Sequence, residues 1–561
     1  MKKSVLGRLV GNTGDPNNLT MVLASSFAAR RGEFVRISHQ EREEEPKADV
    51  LGRIVSLTRV NTLYNAGLGS SAASLELMPG AQVTGESIAA KVELIGYRDP
   101  ISDEVRIPRR PLDPGSRVLP VDYQFLSSFY RFDEQTSIHI GNLVGYERGE
   151  DTVPVFLEVN KLVTEHVAIL AMTGSGKSYT VGRIIERLVA LHNGTVVVFD
   201  PHGEYGRALL GGNLQFNPNL GNLTDARDQL AIPVIQDTIQ RLQAAGAGIS
   251  VHTPQNLSFR LKYAGKNNEL ALQFDHFEMD DIAEILPGLT EPQQRVLDVA
   301  MRYWRTVDRA EPRDINRLRN LLGDGIDELK QWDQLSKAES EALSSRSAAI
   351  TSMKLSRVLN EAQSFYSAAL AQPTNIYDLV GRPADRRGRL AIIDLQGLSD
   401  TAKQIITALI GSEILAAASS KTDPSRPTFV VFEEGHNFAP AGESAVSLRI
   451  IKKIAAEGRK FGVGFAIVSQ RPSKLDPDVT SQCNTLITMR LKNPDDQRFI
   501  AKTSDMISSA DIDELPSLST GEALIVGRSI TAPLLVKIGP KALVHGGESP
   551  EVLKVWGRFG G

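Results

Sequence analysis

Apolar and polar positions change rhythm several times along the chain. Over the first ~145 residues, apolar stretches are short and interleaved with polar ones, as in Phe34-Val35-Arg36-Ile37, Gly52–Leu57 and Lys91–Tyr97. Turn signals separate them: Gly14-Asp15-Pro16-Asn17, Pro79-Gly80 and Asp113-Pro114-Gly115. Short strands with such punctuation predict a small β-barrel or sandwich over residues 1–145. Beyond this point the runs become wholly apolar. Val167–Ala171 and Thr195–Phe199 read as strands buried on both faces of a mainly parallel sheet. Between them, Ser178–Leu191 carries Val181, Ile184, Ile185 and Leu188 at helical spacing. Residues 271–375 turn helical. Thr290-Glu291-Pro292-Gln293 has the N-cap, early proline and capping-box glutamine of a helix start, and Val296, Leu297, Ala300, Tyr303 and Trp304 follow on one face. Further helices are expected over Ile315–Leu322 and Ala338–Gln363. Strands resume at Leu390–Leu395, Thr428–Phe432 and Gly464–Val468, with helices Ala402–Ala418 and Leu448–Phe461 between them. The fold expected is multi-domain. It has an N-terminal β-barrel over 1–145, an α/β core in two parts (146–270 and 376–561), and a helical bundle inserted at 271–375.

Composition narrows the setting. A chain of 561 residues exceeds one hydrophobic core, and 41% hydrophobic with 23% charged residues is ordinary for a globular protein. No apolar stretch reaches the ~18–20 residues of a membrane span, and Met1–Arg8 lacks a signal-peptide apolar core. No membrane partner and a cytoplasmic location are therefore expected. Cys483 is the single cysteine, which excludes internal disulfides and cysteine-cluster zinc sites. A net charge of −4 gives no global attraction to nucleic acid, so any such contact needs a local basic surface. Glu41–Lys47 reads as a solvated loop, and Arg106, Arg109 and Arg110 as surface arginines or contacts to a neighbour or phosphate.

The chemistry is concentrated at strand ends. Met172-Thr173-Gly174-Ser175-Gly176-Lys177-Ser178 lies between a buried strand and a helix, as a phosphate-binding loop requires. Its N–H groups converge on phosphate oxygens, with Tyr179 just inside the helix. Lys177 neutralises the β/γ-phosphates of ATP, and the Ser178 hydroxyl holds Mg²⁺. Ala171 replaces the first glycine of the usual pattern, which is tolerable at negative φ. The second strand ends in Asp200-Pro201-His202-Gly203-Glu204-Tyr205, beside the nucleotide crevice of such a sheet. Asp200 and Glu204 order water or Mg²⁺ there, or report the nucleotide state; alternatively Asp200 caps the turn. His202 has no second ligand at metal-binding spacing. Phe429-Val430-Val431-Phe432-Glu433-Glu434 reads as a Walker B strand. Alternation along a strand would send the two carboxylates to opposite sides, Glu433 toward Mg²⁺ through water and Glu434 as general base for the attacking water. Gln470, at the end of the next strand, is the candidate sensor of the γ-phosphate.

In this order, the Ala171–Ser178 loop, Asp200–Tyr205, Glu433–Phe438, Ser469-Gln470-Arg471-Pro472 and Asp478–Asn484 resemble the HerA family, relatives of the FtsK DNA pumps. The resemblance covers nearly the whole chain. It implies a RecA-like P-loop ATPase core, a barrel of the HAS type and a four-helix bundle. It further implies a homohexameric ring that moves double-stranded DNA through its pore, hydrolysing ATP at subunit interfaces with Mg²⁺. Arg459, in Glu457-Gly458-Arg459-Lys460-Phe461-Gly462, resembles the arginine given to the neighbouring subunit's nucleotide. Gly435 stands where the family more often has alanine. Expected partners are a NurA-like nuclease in DNA end processing or, alternatively, an anti-phage effector such as a sirtuin-like NAD-consuming protein. A membrane pump of the conjugation type is the third option, disfavoured by the absence of an anchor. Ala439–Ser444 and Arg382–Arg389 are the candidate pore segments.

Overall fold

The computed structural model describes residues 5–11, 13–15, 18–25, 29–61, 86–130, 133–146, 152–206, 216, 236–244, 248–254, 267–272, 279–286, 288–307, 314–362, 374–442 and 445–544. The chain forms two units, the first comprising 1–133, 141–156 and 530–537 and the second the remainder.

In the first unit, β1 (Gly7–Val10), β2 (Leu19–Leu23), β3 (Phe34–His39), β4 (Ala48–Asn61), β5 (Glu86–Arg98), β6 (Val105–Arg106) and β7 (Arg117–Pro120) lie in the order β2-β1-β7-β3-β4-β5-β6. Strand β2 also pairs with β5, so six strands close into a barrel with β6 on its flank. The alternation seen in the sequence turns Leu9, Leu19, Met21, Val35, Ile37 and Val92 inward, where they are buried. Register shifts in the β4–β5 pair at Leu51/Gly52 and Ile54/Ser56 supply the bend that closure needs. Of the expected turns, Pro16-Asn17 and Pro79-Gly80 lie outside the described residues. The Glu41 loop is more than solvated surface. Its carboxylate accepts from the Arg109 and Arg110 N–H groups at 3.1 and 3.2 Å and meets His39 Nε2 at 2.9 Å. Arg106 pairs with Asp99 at 2.7 Å and with Glu104 at 3.1 Å.

Strands β8 (Ser137–Leu143) and β9 (Pro154–Glu158) follow. The second unit is built on β10 (Val167–Leu170), β11 (Thr195–Asp200), β12 (Ile249–Pro254), β13 (Asn267–Leu270), β14 (Arg389–Asp394), β15 (Thr428–Phe432), β16 (Val463–Ser469), β17 (Thr485–Met489) and β18 (Glu522–Gly527). Their order is β13-β12-β14-β11-β15-β16-β10-β17-β18, parallel throughout except for β17–β18. Leu170, Asp200, Asp394, Phe432 and Ser469 therefore end their strands on one common edge. Residues Thr195–Asp200 and Val463–Ser469 are buried throughout, as parallel strands covered by helices require.

Helices in this unit follow the expected pattern, with two changes. Helix Lys177–His192 runs between Gly176 and Asn193, both left-handed. Helix Glu291–Thr306 carries the expected capping box, Thr290 N–H donating to Gln293 Oε1 at 3.0 Å. Tyr303 and Trp304 are core residues, the indole N–H donating to the Asp314 carbonyl at 3.2 Å. The expected helix over Ala338–Gln363 is two helices, Lys337–Ala342 and Ser345–Ala362, with Gln363 outside the described residues. Leu343 breaks it by taking an extended conformation that buries its side chain. The Leu448–Phe461 helix is observed as Val446–Glu457 followed by a 3-10 turn, Gly458–Phe461.

Candidate nucleotide site

The phosphate-binding loop is backed on both sides. Ala171 N–H donates to the Ser469 carbonyl at 3.2 Å, Met172 N–H to Arg490 at 3.0 Å, and Gly521 N–H to Ser175 at 2.9 Å. Gly174 and Gly176 have φ of +77° and +101°, and a Cβ on Gly176 would sit 3.3 Å from Met489 Cε. Ala171 is not among the positive-φ residues, so its methyl group is no obstacle. The loop's N–H groups and the N-terminus of a 16-residue helix thus face the edge where the strands end.

Both Walker B carboxylates reach the loop lysine. Lys177 Nζ donates to Glu433 Oε1 and, at 3.1 Å, to Glu434 Oε1. The expected divergence of the two acids does not occur. Glu434 sits at φ +51°, which ends the strand alternation and turns its carboxylate back to the same ammonium. Burial alone would lower the Lys177 pKa; the flanking Glu433 and Glu434 outweigh it and raise it. Glu433 is almost fully buried, and burial raises its pKa despite the lysine. Ser178 Oγ lies 3.4 Å from Glu433 Oε1, so a hydroxyl and a carboxylate converge where a hard cation finds oxygen ligands. Glu434 Oε2 is buried with no hydrogen-bond partner and lies 3.5 Å from His436 Nδ1. Thr173 Oγ1 donates to Gln470 Oε1, joining the loop to the end of β16.

Asp200 caps its turn. Its Oδ1 accepts from His202 and Glu204 N–H at 3.3 and 3.1 Å, and its Oδ2 from Tyr205 N–H at 2.8 Å. Burial, with Asp394 and Glu433 nearby, raises its pKa to about 7. Glu204 is half-buried, with Oε2 lacking a hydrogen-bond partner. Tyr179 points its hydroxyl at the C-terminal segment, accepting from Lys541 N–H at 2.7 Å. Arg459 stands apart. It occupies the turn just before β16, whereas Gln470 lies just after it, so the seven-residue strand separates them by roughly 20 Å. Its side chain is 63% exposed, and its guanidinium pairs with Glu165 at 3.4 Å.

Residues 138–414 match the family model described as the central domain of helicase HerA. The chain is 27% identical to the DNA double-strand break repair helicase HerA of Pyrococcus furiosus, covering 94% of this chain and 92% of the relative. The chain belongs to the HerA family. A probable DNA double-strand break repair helicase HerA of Methanocaldococcus jannaschii is 28% identical over 84% of this chain and 89% of its own length. The bacterial conjugative coupling protein TrwBdeltaN70 superposes with a TM-score of 0.48 at 13% identity, over 79% of this chain and 96% of that one. As a HerA-family P-loop enzyme, the chain is an ATPase. Two groups at its site were not singled out in the sequence. Tyr205 is buried and donates its hydroxyl to Glu433 Oε2 at 3.2 Å; burial and the neighbouring Glu433 raise the phenol well above its ordinary range. His436 bridges Glu434 and Ser469, with Nδ1 3.2 Å from the serine hydroxyl. Both stand inside quoted motifs, but spacing alone gave neither a partner.

Proposed function

We propose that this chain is an ATP-driven motor on double-stranded DNA, working as a homohexameric ring and feeding a NurA-like nuclease during end processing. The names of the relatives support the DNA repair setting. The placement of Arg459 carries the shared-site reading. Lys177, Glu433, Glu434 and Gln470 cluster where strands end, while Arg459 stands where β16 begins. An exposed arginine so far from its own loop supports a site shared with another copy's nucleotide, as a ring would provide.

In this reading the N–H groups of Thr173–Tyr179 hold the phosphates, and Lys177 exchanges its carboxylate partners for the β/γ-oxygens. Ser178 directly, and Glu433 through water, would hold Mg²⁺, which would supply positive charge against the phosphates. Glu434, whose buried Oε2 faces His436 without a hydrogen bond, takes the proton of the attacking water. Gln470 reads the γ-phosphate through Thr173. Asp200 shapes the turn, and Glu204 orders water beside Glu433. A neighbouring Arg459 stabilises charge on the transferring phosphoryl group, an effect worth ~10³–10⁵ in rate.

The test is turnover by mixed rings. Glu434→Gln should abolish hydrolysis while retaining ATP, and Arg459→Ala should bind ATP yet hydrolyse it poorly. Mixing the two should restore part of the activity, because some interfaces then join an intact Glu434 to an intact Arg459. Absence of rescue in rings shown by native mass to be mixed would end the shared-site reading. For DNA, the exposed Arg386 and Arg387 are the candidate phosphate contacts. Alanine at both should weaken duplex binding equally for all sequences and flatten its salt dependence by ~0.9 in log–log slope for each phosphate no longer neutralised. An unchanged slope would exclude them.

A further inference from the structure

Glu165 is a carboxylate 7% exposed at the start of β10, far from the Walker groups, and it faces two guanidinium groups. Its Oε1 lies 3.4 Å from Arg459 Nη2, and its Oε2 3.5 Å from Arg528 Nη1. The carboxylate is buried, yet the arginines are 63% and 62% exposed, and Oε2 has no hydrogen-bond partner. One negative charge between two positive ones leaves an excess cation at the surface. Both contacts are longer than the roughly 2.7–2.9 Å of a close charge-assisted hydrogen bond, so either guanidinium can turn outward without breaking a tight bond.

The backbone around this cluster is built rigidly. His166, at φ +60°, stacks on Phe465 with ring centroids 4.4 Å apart. Its Nδ1 accepts from Phe465 N–H at 3.3 Å, leaving Nε2–H to donate to the Ala455 carbonyl at 3.1 Å. Asn484 ties the other two strands: its N–H donates to the Glu165 carbonyl at 3.0 Å, and its carbonyl accepts Arg528 N–H at 2.9 Å. Gly527 beside it has φ +116°, and a Cβ there would lie 2.0 Å from the Asn484 carbonyl oxygen. Gly458, before Arg459, is similarly confined: a Cβ there would lie 2.3 Å from the Val463 carbonyl oxygen. Three separate segments are thus locked so that two long cationic side chains leave the surface together. An isolated surface ion pair needs no such seat and contributes little. Paired guanidiniums with spare charge suit a polyphosphate, whose oxygens match their planar forks.

We propose that Arg528 is a second phosphate-facing arginine, positioned beside Arg459 by Glu165, and that both meet the nucleotide bound by a neighbouring copy of this chain. This rests on the shared-site reading given above. The full-length protein is compared as wild type, Arg459→Ala, Arg528→Ala, Arg528→Lys and Glu165→Gln. Ring mass, KM for ATP and kcat are measured for each. Arg528→Ala should lower kcat by about 10–100-fold, less than a primary finger, with ring mass unchanged and KM within about twofold. Arg528→Lys should restore only part of it, since an ammonium cannot reproduce the planar fork. Glu165→Gln should lower kcat, but add nothing on a background lacking both arginines. Arg528→Ala mixed with Glu434→Gln should regain turnover. If Arg459→Ala loses turnover while Arg528→Ala keeps it, this inference is overturned and the shared site stands. If neither loses it, both fall. Loss of the ring in Arg528→Ala, or no rescue in confirmed mixed rings, assigns Arg528 a structural role and likewise overturns it.

Discussion

At the scale of single residues, the site depends on contacts that spacing cannot show. Tyr205 is the clearest case: its N–H is fixed by Asp200 and its hydroxyl by Glu433. Replacing it with phenylalanine leaves the Glu433 oxygen unpaired, and hydrogen bonds to charged groups contribute about 1.5–3 kcal/mol. Tyr205→Phe should therefore raise the Mg²⁺ concentration needed for tight nucleotide binding by roughly tenfold, with little change in melting temperature. A calorimetric Mg²⁺ titration checks this; an unaltered curve would deny Tyr205 any hold on Glu433. Gly435 gives the opposite lesson. The family more often has alanine there, but in this chain a Cβ would lie 2.3 Å from Ile467 Cγ1. An alanine there would require the Ile467 side chain on β16 to shift.

At the scale of elements, most starts and stops were legible because local chemistry sets them. The Thr290–Gln293 box and the caps on helix Lys177–His192 act within a few residues. Elements ended by packing were not legible. Leu343 breaks a helix by burial, and Gly458 tightens the last turn where β16 passes. Gly464 shows how close such passages are: a Cβ would lie 1.6 Å from the Val163 carbonyl oxygen. Gly464→Ala should cost about 3 kcal/mol or more, as backbone must move. Gly411→Ala, inside helix Asp400–Ser419, meets side chains and no backbone among its nearest atoms, Ile450 Cγ1 at 3.1 Å and Ile454 Cδ1 at 3.8 Å, and gains helix propensity, so its net change should stay within about 1 kcal/mol. Denaturant melts of the two variants separate these outcomes; equal stability would refute the close-approach argument.

At the scale of the whole molecule, buried histidines couple stability to pH. Burial lowers His166 to about 4; burial, then the Arg389 charge, lowers His252 to about 4. Both are neutral in the fold but gain protons near pH 6.5 when unfolded. Their contribution is complete above that pH and is lost as pH falls toward 4, at about 1.4 kcal/mol per pH unit for each proton. Asp200, raised to about 7, acts the other way: its contribution is full below about pH 4 and is lost as pH climbs to 7. Unfolding free energies measured from pH 4 to 7 should be less steep in His166→Gln than in wild type. Identical slopes would show that His166 titrates alike in both states. Among the described residues, no helix is long and apolar enough to cross a membrane.

The order of motifs, the buried parallel strands and the phosphate loop were determined by sequence, because each is set by local pattern and backbone chemistry. Tertiary structure alone decided that Glu433 and Glu434 share Lys177, that Tyr205 supports Glu433, and that Arg459 and Arg528 meet at Glu165. Those contacts join strands far apart in the chain, and only the register of the sheet, with a few confined glycines and left-handed turns, brings them within reach.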